Sequence, residues 1–239
     1  MNRSLPFVVV LASCLTETGN PELQARVTLA ARTSAPDQVR VGAEVDGLAV
    51  HEAWVSIERL RFVQGEVCDV PGEVEIDAPP VVADVVPGEV VEFPARAGGY
   101  CRVRLRFEEA ESVPGDAPPA LADRTIVVTG QRADGVPFTI VTDEDFEIDL
   151  RVKDGGAPFT LEEGRDALIL AFDVAAWLDG VPLDEATVTG GEILVSEASN
   201  PSLLAAFEAN TQRVFDLFED PDGDGRLDDD SAPVAGSAP

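Results

Sequence analysis

From Tyr100 to Phe107 apolar residues and arginines alternate, with Cys101, Val103, Leu105 and Phe107 on one side and Arg102, Arg104 and Arg106 on the other. A repeat of two admits only an extended strand with one face on a core and one in water. Phe146, Ile148, Leu150 and Val152 repeat the pattern against Asp145, Glu147, Asp149 and Arg151. Cross-strand pairs of opposite charge contribute about 0.2 to 1 kcal/mol each, so an arginine stripe beside an acidic one fixes strand register. The competing reading, an anion-binding patch, sits poorly with 45 acidic residues against 17 basic ones.

Strand follows strand along most of the chain. Val27, Leu29 and Ala31 alternate, as do Val39, Val41 and Ala43. Ala53, Val55 and Ile57 alternate before Leu60 and Phe62 take up the opposite phase, which calls for a β-bulge near Glu58 and Arg59. Thr125 to Val128 and Pro137 to Val141 flank the turn signal Asp134-Gly135, and Pro137 suggests an edge strand. Ala167 to Phe172 is apolar throughout and reads as a strand buried on both faces at the centre of the core. The expected fold is mainly β, an immunoglobulin- or transthyretin-like β-sandwich over residues 23–198.

A net charge of −28 repels phosphate backbones and anionic headgroups, so nucleic acid is not expected as a partner. The chain has one histidine, His51, one lysine, Lys153, and no serine or cysteine motif of nucleophile geometry, so no enzymatic activity is expected. Aromatic residues make up only 6%, and Trp54 and Trp177 read as packing residues. A carbohydrate-binding module is the alternative, and it requires a concave groove lined by those two rings.

At the N-terminus Arg3 precedes an apolar run, Leu5 to Leu11, and the small residues Ala12 and Ser13 precede Cys14. This order reads as a secretion signal, far shorter than the roughly 20 residues that span a bilayer. Leu11-Ala12-Ser13-Cys14 resembles a bacterial lipobox. The resemblance implies a signal peptide over 1–13, cleavage before Cys14, and diacylglycerol on its sulfur. It also implies a tether over 14–22 and a place in the bacterial cell envelope, with Leu15 rather than Asp pointing to the outer membrane. The acyl chains would supply anchoring that so acidic a protein cannot obtain electrostatically. Cys68 and Cys101 then remain as an even pair in a compartment that permits disulfides. A bond between them would contribute roughly 3 to 4 kcal/mol. Two separate buried thiols, or a metal site without nearby histidines, are the other readings.

The order of the segments resembles a domain of unknown function common in bacterial lipoproteins, over roughly Arg26 to Leu178. The resemblance rests on the strand Trp54 to Leu60, on Ala97-Gly98-Gly99-Tyr100 leading into a strand, and on Phe159 to Trp177. In that last segment a Phe-Thr-x-x-x-Gly turn precedes an apolar strand ending Phe172-Asp173-Val174. It implies an extracytoplasmic β-sandwich without known enzymatic activity.

Near the C-terminus Asn200 and Pro201 suit an N-cap and first helical position. Leu203, Leu204, Phe207, Val214, Phe215 and Phe218 recur at helical spacing, which predicts an α-helix from about 201 to 218. An acidic loop follows, in which Asp220, Asp222, Asp224 and Asp228 take positions one, three, five and nine of an EF-hand-like pattern. Gly225 stands at six, the Arg226 carbonyl at seven and Leu227 at eight. Alternating carboxylates with a tight glycine turn bring several hard oxygens onto one cation. Position twelve is Ser231 rather than a bidentate glutamate, so the expected ligand is Ca2+ held weakly, at ~0.1 to 1 mM, in a structural role. Helix and loop are assigned to 199–231, and 232–239 is expected to be disordered. The sequence thus predicts a lipid-anchored extracytoplasmic surface protein with a non-enzymatic binding or structural role, its glycan or protein ligand unknown.

Overall fold

Strands form where the repeat of two is written. A computed structural model describes residues 22–32, 44–45, 47–68, 74–152, 156–213, 215–227 and 232–237. In chain order these give β1 (Glu22–Arg32), β2 (Glu44–Val45), β3 (Leu48–Gln64), β4 (Glu75–Ala78), β5 (Val81–Asp84), β6 (Glu89–Arg96) and β7 (Gly98–Phe107). A short 3-10 turn, Pro119–Leu121, precedes β8 (Ile126–Arg132), β9 (Pro137–Thr142), β10 (Phe146–Arg151), β11 (Phe159–Leu161) and β12 (Ala167–Asp173). Then come α1 (Val174–Leu178), β13 (Val188–Thr189), β14 (Glu192–Val195), α2 (Pro201–Thr211), β15 (Phe215–Glu219) and β16 (Ala235–Ser237). Cys14, and the alternating residues at 39, 41 and 43, lie outside the described residues.

The chain is mainly β, and its strands join one sheet that folds over into a sandwich. Its path runs β13-β14-β9-β8-β3-β7-β10-β16-β15-β12-β1-β6. The long strand β3 makes the corner: it pairs with β8 through Leu48–Val55 and with β7 from Ile57 to Gln64, and carries β2, β5 and β4 on its other edge. The ladder slips between Ile57 and Arg59, where the phase change in the sequence demands an extra residue. Folding over brings β6, the last strand of the path, against β4. Phe62 of β3 accordingly stacks on Phe93 of β6, with ring centroids 4.6 Å apart. Deeper in, Phe107 stacks on Phe146 at 4.4 Å, and Phe215 meets Phe172 at 5.3 Å. Strand β12 is buried at every residue, between parallel β1 and antiparallel β15. Asp173 ends it by accepting the Ala176 amide at 2.9 Å, which caps α1 and sets Trp177 wholly inside.

The opposed charge stripes meet as expected. Glu147 lies opposite Arg106 and Asp149 opposite Arg104, and Arg102 pairs with Asp149 at 3.1 Å. A second acidic strand lies beyond: Arg61 binds Asp77 at 2.6 Å and Glu75 at 2.7 Å, and Arg104 also reaches Glu75. The hydrogen bond from Arg61 holds the Asp77 carboxyl below the ordinary range. The arginine stripe is therefore matched by acids on both sides.

Tyr100 and Cys101 depart from simple alternation. The ladder slips again between Val63 and Gln64, so Gln64 pairs with Tyr100. Tyr100 turns into the core against Phe62 and Phe159, its hydroxyl donating to the Arg96 carbonyl at 2.7 Å. Cys101 is thereby released to bond Cys68, and the disulfide is present.

Three expectations near the chain's second half are corrected. The helix ends at Thr211, and Phe215 to Glu219 is strand, because β12 presents an open ladder whose backbone groups need partners. Phe215 and Leu217 then face the main core, and Phe218 the opposite side. Residues 235–237 are not disordered but form β16, which fills the gap between β10 and β15 with Ala235 buried. The region after 199 is thus part of the same sheet. Pro137 does not mark an edge: β14 runs parallel to β9 beyond it, with pairing beginning at Phe138, so the missing N–H falls outside the ladder.

Candidate metal site

Strand β15 delivers the acidic loop. Its neighbour β12 holds the loop's first residue, since the Asp220 amide donates to the Ala167 carbonyl at 3.1 Å. The chain then turns back over the outer face of β1. Leu227 packs with Ile169, Ala171, Phe218 and Ala30, so the aliphatic residue at position eight anchors the far end of the loop. Gly225 has φ +73°, a left-handed conformation, and a Cβ there would meet the Thr28 hydroxyl at 3.3 Å. Glycine therefore permits both the turn and the close seat on β1.

One ligand oxygen from each of Asp220, Asp222 and Asp224 lies within 4.8 Å of the others. Oxygens about 2.4 Å from a common calcium ion stand no further apart than about twice that distance, so the three carboxylates fit one such cation. The loop is pre-shaped by its own amides. Asp220 accepts from Gly223 at 3.0 Å and from Gly225 at 2.9 Å, and Asp224 accepts from the Arg226 amide at 2.8 Å. Asp220 is buried, whereas Asp222 and Asp224 are exposed. Burial pushes the Asp220 carboxyl above its ordinary range and the adjoining Asp222 carboxyl adds to the rise, although the Gly225 and Gly223 amides oppose it. Two crowded carboxylates of this kind gain from a divalent neighbour.

Of the other expected ligands, Arg226 is exposed and its amide donates to Asp224, while Asp228 lies outside the described residues. The spacing did not reveal Arg26, whose guanidinium stands 2.8 Å from where a Cβ on Gly223 would lie. No local pattern links residues so far apart; only the pairing of β1 with β12 does.

The other candidates separate cleanly. Cys68 and Cys101 come together, with Cα atoms 5.0 Å apart. His51 is exposed on β3. Trp54 is 7% exposed and Trp177 0%, and neither lines the cavity of about 480 Å3 between Gly47, Arg132 and Leu183 or that of about 370 Å3 beside Ser56. The aromatic platform that a glycan-binding reading requires is thus not built from these rings. Among the described residues, no helix is long and apolar enough to cross a membrane.

No protein-family model matches the sequence, and no curated protein matches it. Among solved structures the chain is similar to MbnP from Methylosinus trichosporium, with a TM-score of 0.48 and 11% sequence identity, over 92% of this chain and 100% of that one.

Proposed function

We propose that this is a lipid-anchored extracytoplasmic surface protein of the bacterial envelope, with a non-enzymatic binding or structural role and a calcium ion in its C-terminal loop. The observation that carries the reading is the convergence of Asp220, Asp222 and Asp224 in a glycine-shaped turn seated on the sheet. The ion would neutralise the crowded pair Asp220 and Asp222 and fix the chain as it leaves β15 toward β16. Its role is structural, because it sits at a strand end with Leu227 packed beneath. The Cys68–Cys101 bond supports the address, since disulfides persist outside the reducing cytosol. Cys14 would hold the acyl chains.

The experiment is a thermal melt of the mature chain with calcium and with chelator. A ligand of ~0.1 to 1 mM affinity present at about 10 mM adds about 1.5 to 3 kcal/mol. The variant Asp222→Asn/Asp224→Asn leaves the Asp220 hydrogen bonds in place and should lose the increment. Equal midpoints with and without calcium in the unaltered chain would remove the metal reading. Radiolabelled palmitate incorporated by the unaltered chain and not by Cys14→Ala would support the anchor; equal labelling would refute it.

A further inference from the structure

Strand β12 is buried on both faces, and the two covers are unlike. Leu168, Leu170 and Phe172 turn into the main core, whereas Ile169 and Ala171 turn outward and join Phe218 of β15 in a separate apolar cluster. Those three residues are only 1%, 0% and 4% exposed, although no second layer of sheet lies over them. The acidic loop is their cover. It leaves β15, passes over β12 to reach Arg26 and Thr28 on the outer side of β1, and lays Leu227 on the cluster.

The cover is lightly fastened. Among the described residues no hydrogen bond or ion pair joins residues 221–227 to a strand; the bonds that shape the loop run within it. Leu227, itself only half-buried, is the loop's one side chain in the cluster. Meanwhile Asp220, Asp222 and Asp224 crowd their carboxylates within 4.8 Å, and exposed Arg226 pairs with none of them. Few buried contacts and no bonds to the sheet are the marks of a segment that opens locally. The floor beneath is fixed by contrast. Strand β15 is paired with β12 along its length, and Arg32 lies over the Phe218 ring at 5.7 Å.

We propose that residues 221–227 form a lid that the charge of the loop opens and a bound cation closes. With calcium in place the three carboxylates are drawn together and Leu227 is held on Ile169, Ala171 and Phe218. Without it their repulsion lifts the loop, and the outer apolar face of β12 and β15 meets water. The closing half rests on the calcium reading above; the opening half does not, because like charges repel whether or not a metal ever binds.

The test uses full chain with isotope-labelled methyl and amide groups. A neutral nitroxide in solution broadens methyls that meet water, so Ile169 reads the lid and Leu170, on the inner face, is the reference. Amide shifts of Gly223 and Gly225 report in the same sample whether calcium binds. Broadening at Ile169 in chelator should be about threefold or more that at about 10 mM calcium, with Leu170 unchanged. Asp222→Asn/Asp224→Asn, relieved of repulsion, should broaden as little in chelator as the unaltered chain does with calcium. Leu227→Ser should broaden Ile169 in both conditions. Calcium that shifts the two glycines while Ile169 broadens equally with and without it would overturn the lid and leave the calcium reading standing. If calcium shifts neither glycine, the calcium reading falls and the closing half with it. The opening half then stands on excess broadening of the unaltered chain over the asparagine variant in chelator, and equal broadening would overturn it.

Discussion

Replacing Cys68 and Cys101 together by serine opens a covalent loop whose ends are 33 residues apart. On the chain-entropy relation, closing a loop of that length removes about 12 cal/mol/K from the unfolded ensemble, or about 4 kcal/mol at 25 °C. Unfolding entropy near 2.1 cal/mol/K per residue gives a chain of 239 residues about 0.5 kcal/mol per degree. The thermal midpoint of the double variant should therefore fall by about 8 °C. Two features argue against a smaller loss. Cys101 lies in the irregular stretch of β7 whose partner Gln64 also bonds Tyr100, so the bond braces a part of the ladder that lacks regular pairing. Cys68 lies beyond the end of β3 at Gln64, so the bond also ties the start of the following connection to the sheet. The assay is a calorimetric scan of oxidised protein, of reduced protein and of the variant, with free thiols counted first. Reduced protein and variant should agree. A fall below about 2 °C in both, with the bond shown intact in the starting protein, would refute the entropic argument.

Two further substitutions follow from packing and burial. A Cβ on Gly130 would lie 2.4 Å from the Ala49 carbonyl oxygen and 2.5 Å from the Phe138 ring, so Gly130→Ala should destabilise by about 3 kcal/mol or more, read as a lowered midpoint in denaturant. A variant as stable as the parent would contradict that packing. Burial raises the Glu144 carboxyl above its ordinary range, and Glu208 adds to the rise. A raised carboxyl stabilises the fold below the ordinary glutamate range, and that stabilisation is lost as pH climbs through the shifted value. Glu144→Gln should then raise the thermal midpoint at about pH 7 and leave it unchanged at about pH 4; the opposite order would exclude this origin.

Much of the sandwich was legible because its strands carry their own period. The stripes from Arg102 to Arg106 and from Asp145 to Asp149 name each other as neighbours, and the phase change after Ile57 names the bulge. The acidic loop was legible for the same reason, since its spacing is local. What remained hidden depended on distant partners. Phe215 and Phe218 fit a helix by spacing, and only the open ladder of β12 makes them strand. Asn200 suits an N-cap, yet it has φ 54° and its side chain ties the Leu194 carbonyl at 2.8 Å and the Thr187 amide at 2.9 Å. Ala235 to Ser237 is too short to show a period, and its strand exists because β10 and β15 leave a vacant ladder between them.

Equilibrium dialysis of the mature chain against labelled calcium tests the metal assignment most directly. One ion per chain, at ~0.1 to 1 mM and absent from Asp222→Asn/Asp224→Asn, is the predicted result. No stoichiometric binding by the unaltered chain, or binding that survives in that variant, would contradict it.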